Sequence, residues 1–172
     1  NDGPWDLMIA NNYSQPTSAT ALNTMLAHLD AGGSLIFADW GLYYYVSHAL
    51  VTRLGISYQA TFTPPQDVAA FEERHVCFHW PNEIHDLRWD ANQHIRHGQL
   101  ATALPGARRL ASFPEYPNSA AIILDATGRA IYNAFQTANY TADDDGDGLR
   151  DAVELAQNEI FLVGLRADWL TV

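Results

Sequence analysis

Apolar residues in this chain fall into two kinds of run, unbroken and spaced. Residues 5–10 (Trp-Asp-Leu-Met-Ile-Ala) and 34–38 (Ser-Leu-Ile-Phe-Ala) are near-continuous and of strand length. Between them, after a loop over 11–16, Leu22, Met25, Leu26 and Leu29 recur at helical spacing from about Ser18, and Gly32-Gly33 marks the exit. Beyond Gly41 a second helical face carries Val46, Ala49, Leu50 and Leu54 and stops at Gly55. Strand, helix, strand, helix with unbroken apolar strands predicts a buried parallel sheet with right-handed crossovers.

The pattern loosens over residues 57–106, where Pro64-Pro65, Pro81 and Pro105 interrupt it and five histidines fall. There the reading is a strand near 76–80, short helices at 66–73 and 90–94, and otherwise loop. Order returns with apolar runs at 107–113 and 120–124. The turn Asp125-Ala126-Thr127-Gly128 joins the latter to 130–135 as a hairpin. Leu149, Val153, Ala156, Ile160 and Val163, widened by Leu155 and Leu162, predict a last helix. The fold class is therefore α/β, a single three-layer domain over residues 1–172 with a mostly parallel sheet and a C-terminal β-hairpin at one edge.

One segment carries specific chemistry. Residues 143–154 read Asp-Asp-Asp-Gly-Asp-Gly-Leu-Arg-Asp-Ala-Val-Glu, matching the twelve-residue calcium loop D-x-[DN]-x-[DN]-G-x5-E. Asp143, Asp145 and Asp147 take the first three ligand positions and Gly148 the sharp turn. Leu149 offers its carbonyl, Asp151 acts next, often through water, and Glu154 closes the site bidentately. Ca²⁺ wants six to eight oxygens, and this set supplies them. A plain helix-capping turn needs one or two acids, not five at ligand spacing. The position after Leu149 is Arg150, where a paired EF-hand has an apolar residue, and a strand precedes the loop. The segment thus resembles the isolated calcium motif of thrombospondin type 3 and dockerin-like repeats. Extracellular sites bind at about 10⁻⁴–10⁻³ M, so this one is expected to fill outside a cell, and a secreted or cell-surface location follows.

Composition agrees. The chain is 172 residues, 48% apolar, with nine Arg, no Lys and twenty acids, for a net charge of −11. That field repels nucleic acid and anionic membrane. No stretch has the roughly 20 consecutive apolar residues of a membrane span. Cys77 is the single cysteine, so no internal disulfide forms. The chain opens at Asn1 without a signal peptide, as expected of a fragment of a longer secreted protein.

The order of elements resembles the class I glutamine-amidotransferase-like superfamily, in its flavodoxin-like, trehalose-utilisation-type branch. The resemblance is carried by Asp6-Leu7-Met8-Ile9-Ala10, by Leu29-Asp30-Ala31-Gly32-Gly33-Ser34-Leu35-Ile36-Phe37, by Gly128-Arg129-Ala130-Ile131-Tyr132-Asn133-Ala134-Phe135 and by Asn158-Glu159-Ile160-Phe161. It implies a flavodoxin-like sheet whose first strand and helix would precede Trp5. It also implies a nucleophilic Cys at the turn after residues 34–38. That turn reads Ala38-Asp39-Trp40-Gly41-Leu42, with neither Cys nor Ser, so the resemblance implies a non-catalytic member or altered chemistry.

Three further groups compete. Asp39-Trp40-Gly41 is similar to the nucleophile elbow of haloalkane dehalogenases, which makes Asp39 the candidate of a hydrolase alternative; the plainer reading is a helix cap. His75, Cys77 and His79 alternate, and on a strand they would face one way, with His85 near, as a Zn²⁺ site; the plainer reading is an edge strand with a buried thiol. His94 and His97 could share a helix face and stay unassigned. Tyr13, Asp39, Trp40, Tyr43 and Tyr44 fall at the carboxyl ends of the parallel strands, where open α/β sheets bind ligands, and could stack on a carbohydrate or a protein partner. The sequence thus points to a calcium-stabilised, non-catalytic binding or assembly module, with Ca²⁺ as its cofactor.

Overall fold

The computed structural model describes residues 6–12, 17–39, 41–63, 66–90 and 98–164. Its parallel part is built as the pattern predicts. Strand β1 (Leu7–Asn12) pairs with β2 (Ser34–Asp39), which pairs with β9 (Ala130–Asn133), both in parallel. All six residues of β2 are buried. Such two-sided burial is what an unbroken apolar strand requires. Helices α1 (Ala19–Asp30) and α3 (Asp151–Gly164) both pack on β2. Ser18 caps α1, its hydroxyl accepting from the Ala21 N–H at 3.2 Å, and Leu22, Met25 and Leu29 are its buried stripe.

The rest of the sheet overturns the predicted architecture. Among the described residues there are nine strands in one mixed sheet and three α-helices, and only two of the eight strand pairings are parallel. The molecule is therefore not a three-layer, flavodoxin-like, mostly parallel α/β domain. The predicted hairpin is present: β8 (Tyr116–Leu124) returns antiparallel onto β9. Buried Asp125 fixes its turn by accepting from the Arg129 and Ala130 amides at 2.8 and 2.9 Å and from Arg53 Nη1 at 2.6 Å. This hairpin is not the end of the sheet, however. On its other edge β8 pairs with β7 (Arg108–Phe113), which carries β4 (Val68–Ala70) and then β5 (Asp86–Leu87). On the β9 side, Ala120 of β8 also meets Ala101 of β6 (Gly98–Ala103), whose partner is β3 (Ile56–Phe62). The sheet forks along β8 and curls, enclosing Phe62, Leu110, Phe113 and Ile122.

Local expectations fail for the same reason. Residues read as a helix at 66–73 hold β4 instead, and the strand expected near 76–80 is a 3₁₀ turn, Val76–Phe78. The second helix shrinks to a 3₁₀ turn at Leu42–Tyr44 and α2 (Ala49–Arg53); Leu50 and Leu54 are buried but Val46 is exposed. The helix expected at 90–94 lies outside the described residues from 91 onward. Helix α3 is rotated from its predicted face. Val153 and Ile160 are exposed, while Ala152, Leu155 and Val163 are buried together with Asp151, Glu154, Asn158 and Glu159.

Candidate metal centre

The acidic loop follows β9 and a 3₁₀ turn (Thr137–Asn139) and leads into α3, whose first residue is Asp151. Its backbone winds around its own side chains. Asp143 accepts from the Gly146 and Gly148 amides at 2.8 and 3.0 Å, Asp145 from Asp147 N at 3.1 Å, and Asp147 from Leu149 N at 2.7 Å. Gly148 has φ of +95°, which a side chain would strain. Asp143, Asp145 and Asp147 thereby offer carboxylate oxygens that all lie within 4.8 Å of one another; among the described residues no other three His, Cys, Asp or Glu side chains gather so closely. Two Ca–O bonds of 2.3–2.6 Å set end to end span about 5 Å, so one sphere accommodates all three oxygens.

The two remaining carboxylates predicted as ligands lie on α3 and outside that triplet. Asp151 and Glu154 are both buried, with 7% and 4% exposure. Asp151 Oδ1 accepts from Asp144 N at 3.1 Å, and Oδ2 is buried with no hydrogen-bond partner. Burial, and then the carboxylates of Asp144, Asp143 and Asp145, push the Asp151 pKa up, against the Asp144 amide. Burial, then Asp145, Asp147, Asp151 and Asp143, raise Glu154 likewise. Proton uptake is one way to relieve such crowding; a divalent cation is the other. Leu149, expected to offer its carbonyl, has an exposed side chain.

The other predicted sites do not assemble in the same way. Asp39 is fully buried at the end of β2, and its carboxylate accepts from Thr17 Oγ1 at 2.5 Å, from Asn12 Nδ2 at 3.4 Å and from the Gly41 amide. Those donors hold the turn, as a structural carboxylate does. Tyr13 and Trp40 lie outside the described residues. Tyr43 and Tyr44 are exposed with ring centroids 3.9 Å apart, and the Tyr43 hydroxyl is pushed up to about 12, chiefly by its hydrogen bond with Tyr44. Behind Asp39, Tyr45 and Tyr132 are buried; the Asp39 charge acts on both hydroxyls, and that of Tyr132 has no hydrogen-bond partner among the described residues, an inward polar group absent from the sequence reading.

His75, Cys77 and His79 diverge because their backbone is a 3₁₀ turn. His75 Nδ1 caps that turn at the Cys77 amide, 3.2 Å away; Cys77 is buried with its thiol pushed up by desolvation; and His79 Nδ1 meets Glu83 Oε1 at 2.7 Å. The competing Zn²⁺ arrangement is therefore not formed among the described residues; of the plainer reading, the thiol is buried but the strand is not there. His94 and His97 lie outside the described residues. Glu159, which the sequence reading left without a role, is 1% exposed; Asn133 Nδ2 donates to its Oε2 at 3.0 Å and its Oε1 is unpartnered.

No family model matches the chain, nor does any curated protein sequence. Solved structures do resemble it in fold. Cytoplasmic Protein STM3548 from Salmonella typhimurium aligns with a TM-score of 0.62 at 11% identity, over 91% of this chain and 71% of that one. A putative ThuA-like protein from Bacteroides uniformis aligns at 0.57 and 14%, over 92% and 69%. The N-terminal domain of mmIFT52 aligns at 0.53 and 13%, over 97% and 77%. At these identities the likeness is one of fold. It meets the expected resemblance at that level: the neighbours include a ThuA-like protein, while neither the calcium loop nor the lost nucleophile is a feature the likeness carries. No described helix is long and apolar enough to cross a membrane.

Proposed function

We propose that this chain is a calcium-stabilised, non-catalytic binding or assembly module of a secreted protein, in which Ca²⁺ in the loop at 143–154 fastens the start of α3 to the sheet. One observation carries the reading: Asp151, whose buried Oδ2 has no hydrogen-bond partner, shares a cleft wall with Asp145, one of three carboxylates gathered within 4.8 Å. A buried carboxylate oxygen with no donor is costly, and a hard cation supplies the missing charge. The extracellular setting follows from the millimolar affinities typical of such sites outside cells. The full enclosure of Asp39 by backbone and hydroxyl donors supports the non-catalytic part. The partner remains a protein or a carbohydrate, met at the exposed Tyr43 and Tyr44. The test is calorimetric unfolding of the metal-stripped chain with EGTA and with millimolar Ca²⁺. A melting temperature that Ca²⁺ leaves unmoved would remove the basis of the proposal.

A further inference from the structure

The acidic loop does not stand alone on the surface. Between it and the segment after Pro81 lies a cleft of about 200 Å³, lined by Glu83, Ile84, His85, Asp144, Asp145 and Asp151. Four of these six are carboxylates from two separate parts of the chain. Arg88, 69% exposed, lies against one of them, with its Nε 3.4 Å from Asp144 Oδ2. Asp145 belongs both to the compact triplet and to the cleft wall, and Asp151, with its unpartnered buried Oδ2, lines the cleft too.

The far wall is fastened to the same helix that bears Asp151. Asn82 donates through its amide N–H to Asn158 Oδ1 at 2.9 Å and through Nδ2 to the Glu154 carbonyl at 3.3 Å; Asn158 Nδ2 returns a bond to the Asn82 carbonyl at 2.8 Å. Ile84 is buried, its amide bonded to the Phe78 carbonyl at 2.8 Å. Glu83, between these two anchors, is therefore held at the loop by the backbone. His79 occupies one of its oxygens at 2.7 Å, which orients the carboxylate.

From this arrangement we infer that Glu83 is a calcium ligand from outside the loop, closing the coordination sphere across the cleft from Asp151, directly or through one water. The inference rests on the calcium reading of the loop and extends it. An isolated loop leaves its ninth position to solvent; here a second segment faces that position, and the ion becomes a clip between the turn after Pro81 and the start of α3. Oxygen donors dominate the cleft, which suits Ca²⁺ over a transition metal.

The experiment is calorimetric titration of CaCl₂ into the metal-stripped chain and four variants. Glu83→Gln should weaken binding about tenfold, the scale of an orienting or outer ligand. Glu83 is exposed, so this variant should keep its metal-free melting temperature. Glu115→Gln, removing another exposed acid, on the turn before β8, should bind within about twofold of the parent. Asp143→Ala should lose binding. Unchanged affinity in Glu83→Gln while Asp143→Ala loses it would overturn the clip and leave the loop site standing. Equal weakening in Glu115→Gln would reduce the effect to bulk charge and overturn it too. Loss of binding on His85→Ala with Glu83→Gln unaffected would assign the cleft to an imidazole-bound metal, again overturning it. If the parent itself takes up no Ca²⁺, the clip and the loop reading fall together.

Discussion

Glu159 is the most exacting place to test how this fold treats charge. It lies inside the molecule, on the face of α3 turned toward β9, and among the described residues it has a single donor, Asn133, and one oxygen unpartnered. Desolvation pushes its pKa up to about 8, with the Asn133 hydrogen bond pulling the other way. The folded chain thus keeps a proton on this carboxyl at a pH where the unfolded chain has released it. The folded value is the raised one, so the stabilisation is complete below the ordinary value of 4.5 and is lost as pH climbs to about 8. At about 1.4 kcal/mol per pH unit, that interval corresponds to roughly 5 kcal/mol. For a chain of this size the loss amounts to a fall of roughly 10–20 °C in melting temperature. Glu159→Gln keeps the shape and an oxygen that accepts from Asn133 Nδ2 while removing the titration. Differential scanning calorimetry from pH 4.5 to 8.5 in EGTA should show the parent falling steeply and the variant falling less. The difference between the two curves isolates Glu159 from Asp151 and Glu154, whose raised pKa values slope in the same direction. Parallel curves for the two proteins would refute the reasoning.

Other outcomes follow from the same structure. Asp143→Ala and Glu154→Ala should each abolish the calcium-dependent rise in melting temperature, which at a hundredfold excess over Kd corresponds to about 2.7 kcal/mol; a retained rise in either would remove that residue from the ligand set. Tyr132→Phe deletes a buried hydroxyl that has no partner, so denaturant unfolding should show it neutral or stabilising by up to about 1 kcal/mol; a loss above that would reveal a bond the hydroxyl makes. Gly55→Ala should destabilise by more than about 1 kcal/mol in the same assay, because φ is +73° and a Cβ there overlaps the Ala107 methyl; wild-type stability would contradict that crowding.

The loop, the α1 stripe and the β8–β9 hairpin were legible because each is a local pattern. Ligand spacing, a capped helical period and a turn between two apolar runs are complete within a dozen or so neighbouring residues. Two elements carry sequence signals other than unbroken apolar runs. Ile56-Ser57-Tyr58-Gln59-Ala60-Thr61-Phe62 alternates as a half-buried strand should, and it is β3. On α3, the polar residues Asp151, Glu154, Asn158 and Glu159 recur at helical spacing opposite the exposed Val153 and Ile160, and that polar stripe faces inward.

By itself, then, the sequence determined where the acidic loop gathers its carboxylates, the first strand–helix–strand unit and the net negative charge, since these depend on residues adjacent along the chain. Only the tertiary structure decided that the sheet is mixed. β4 has three residues and β5 two, too few to carry a period, and they exist because β7 presents an edge to pair with. Tertiary packing likewise separated His75, Cys77 and His79, buried Glu159 beside Asn133, and brought Glu83 to the wall of a cleft shared with Asp151, about seventy residues further along. Burial and long-range pairing are properties of what the rest of the chain places alongside a residue, and no window of neighbouring residues contains them.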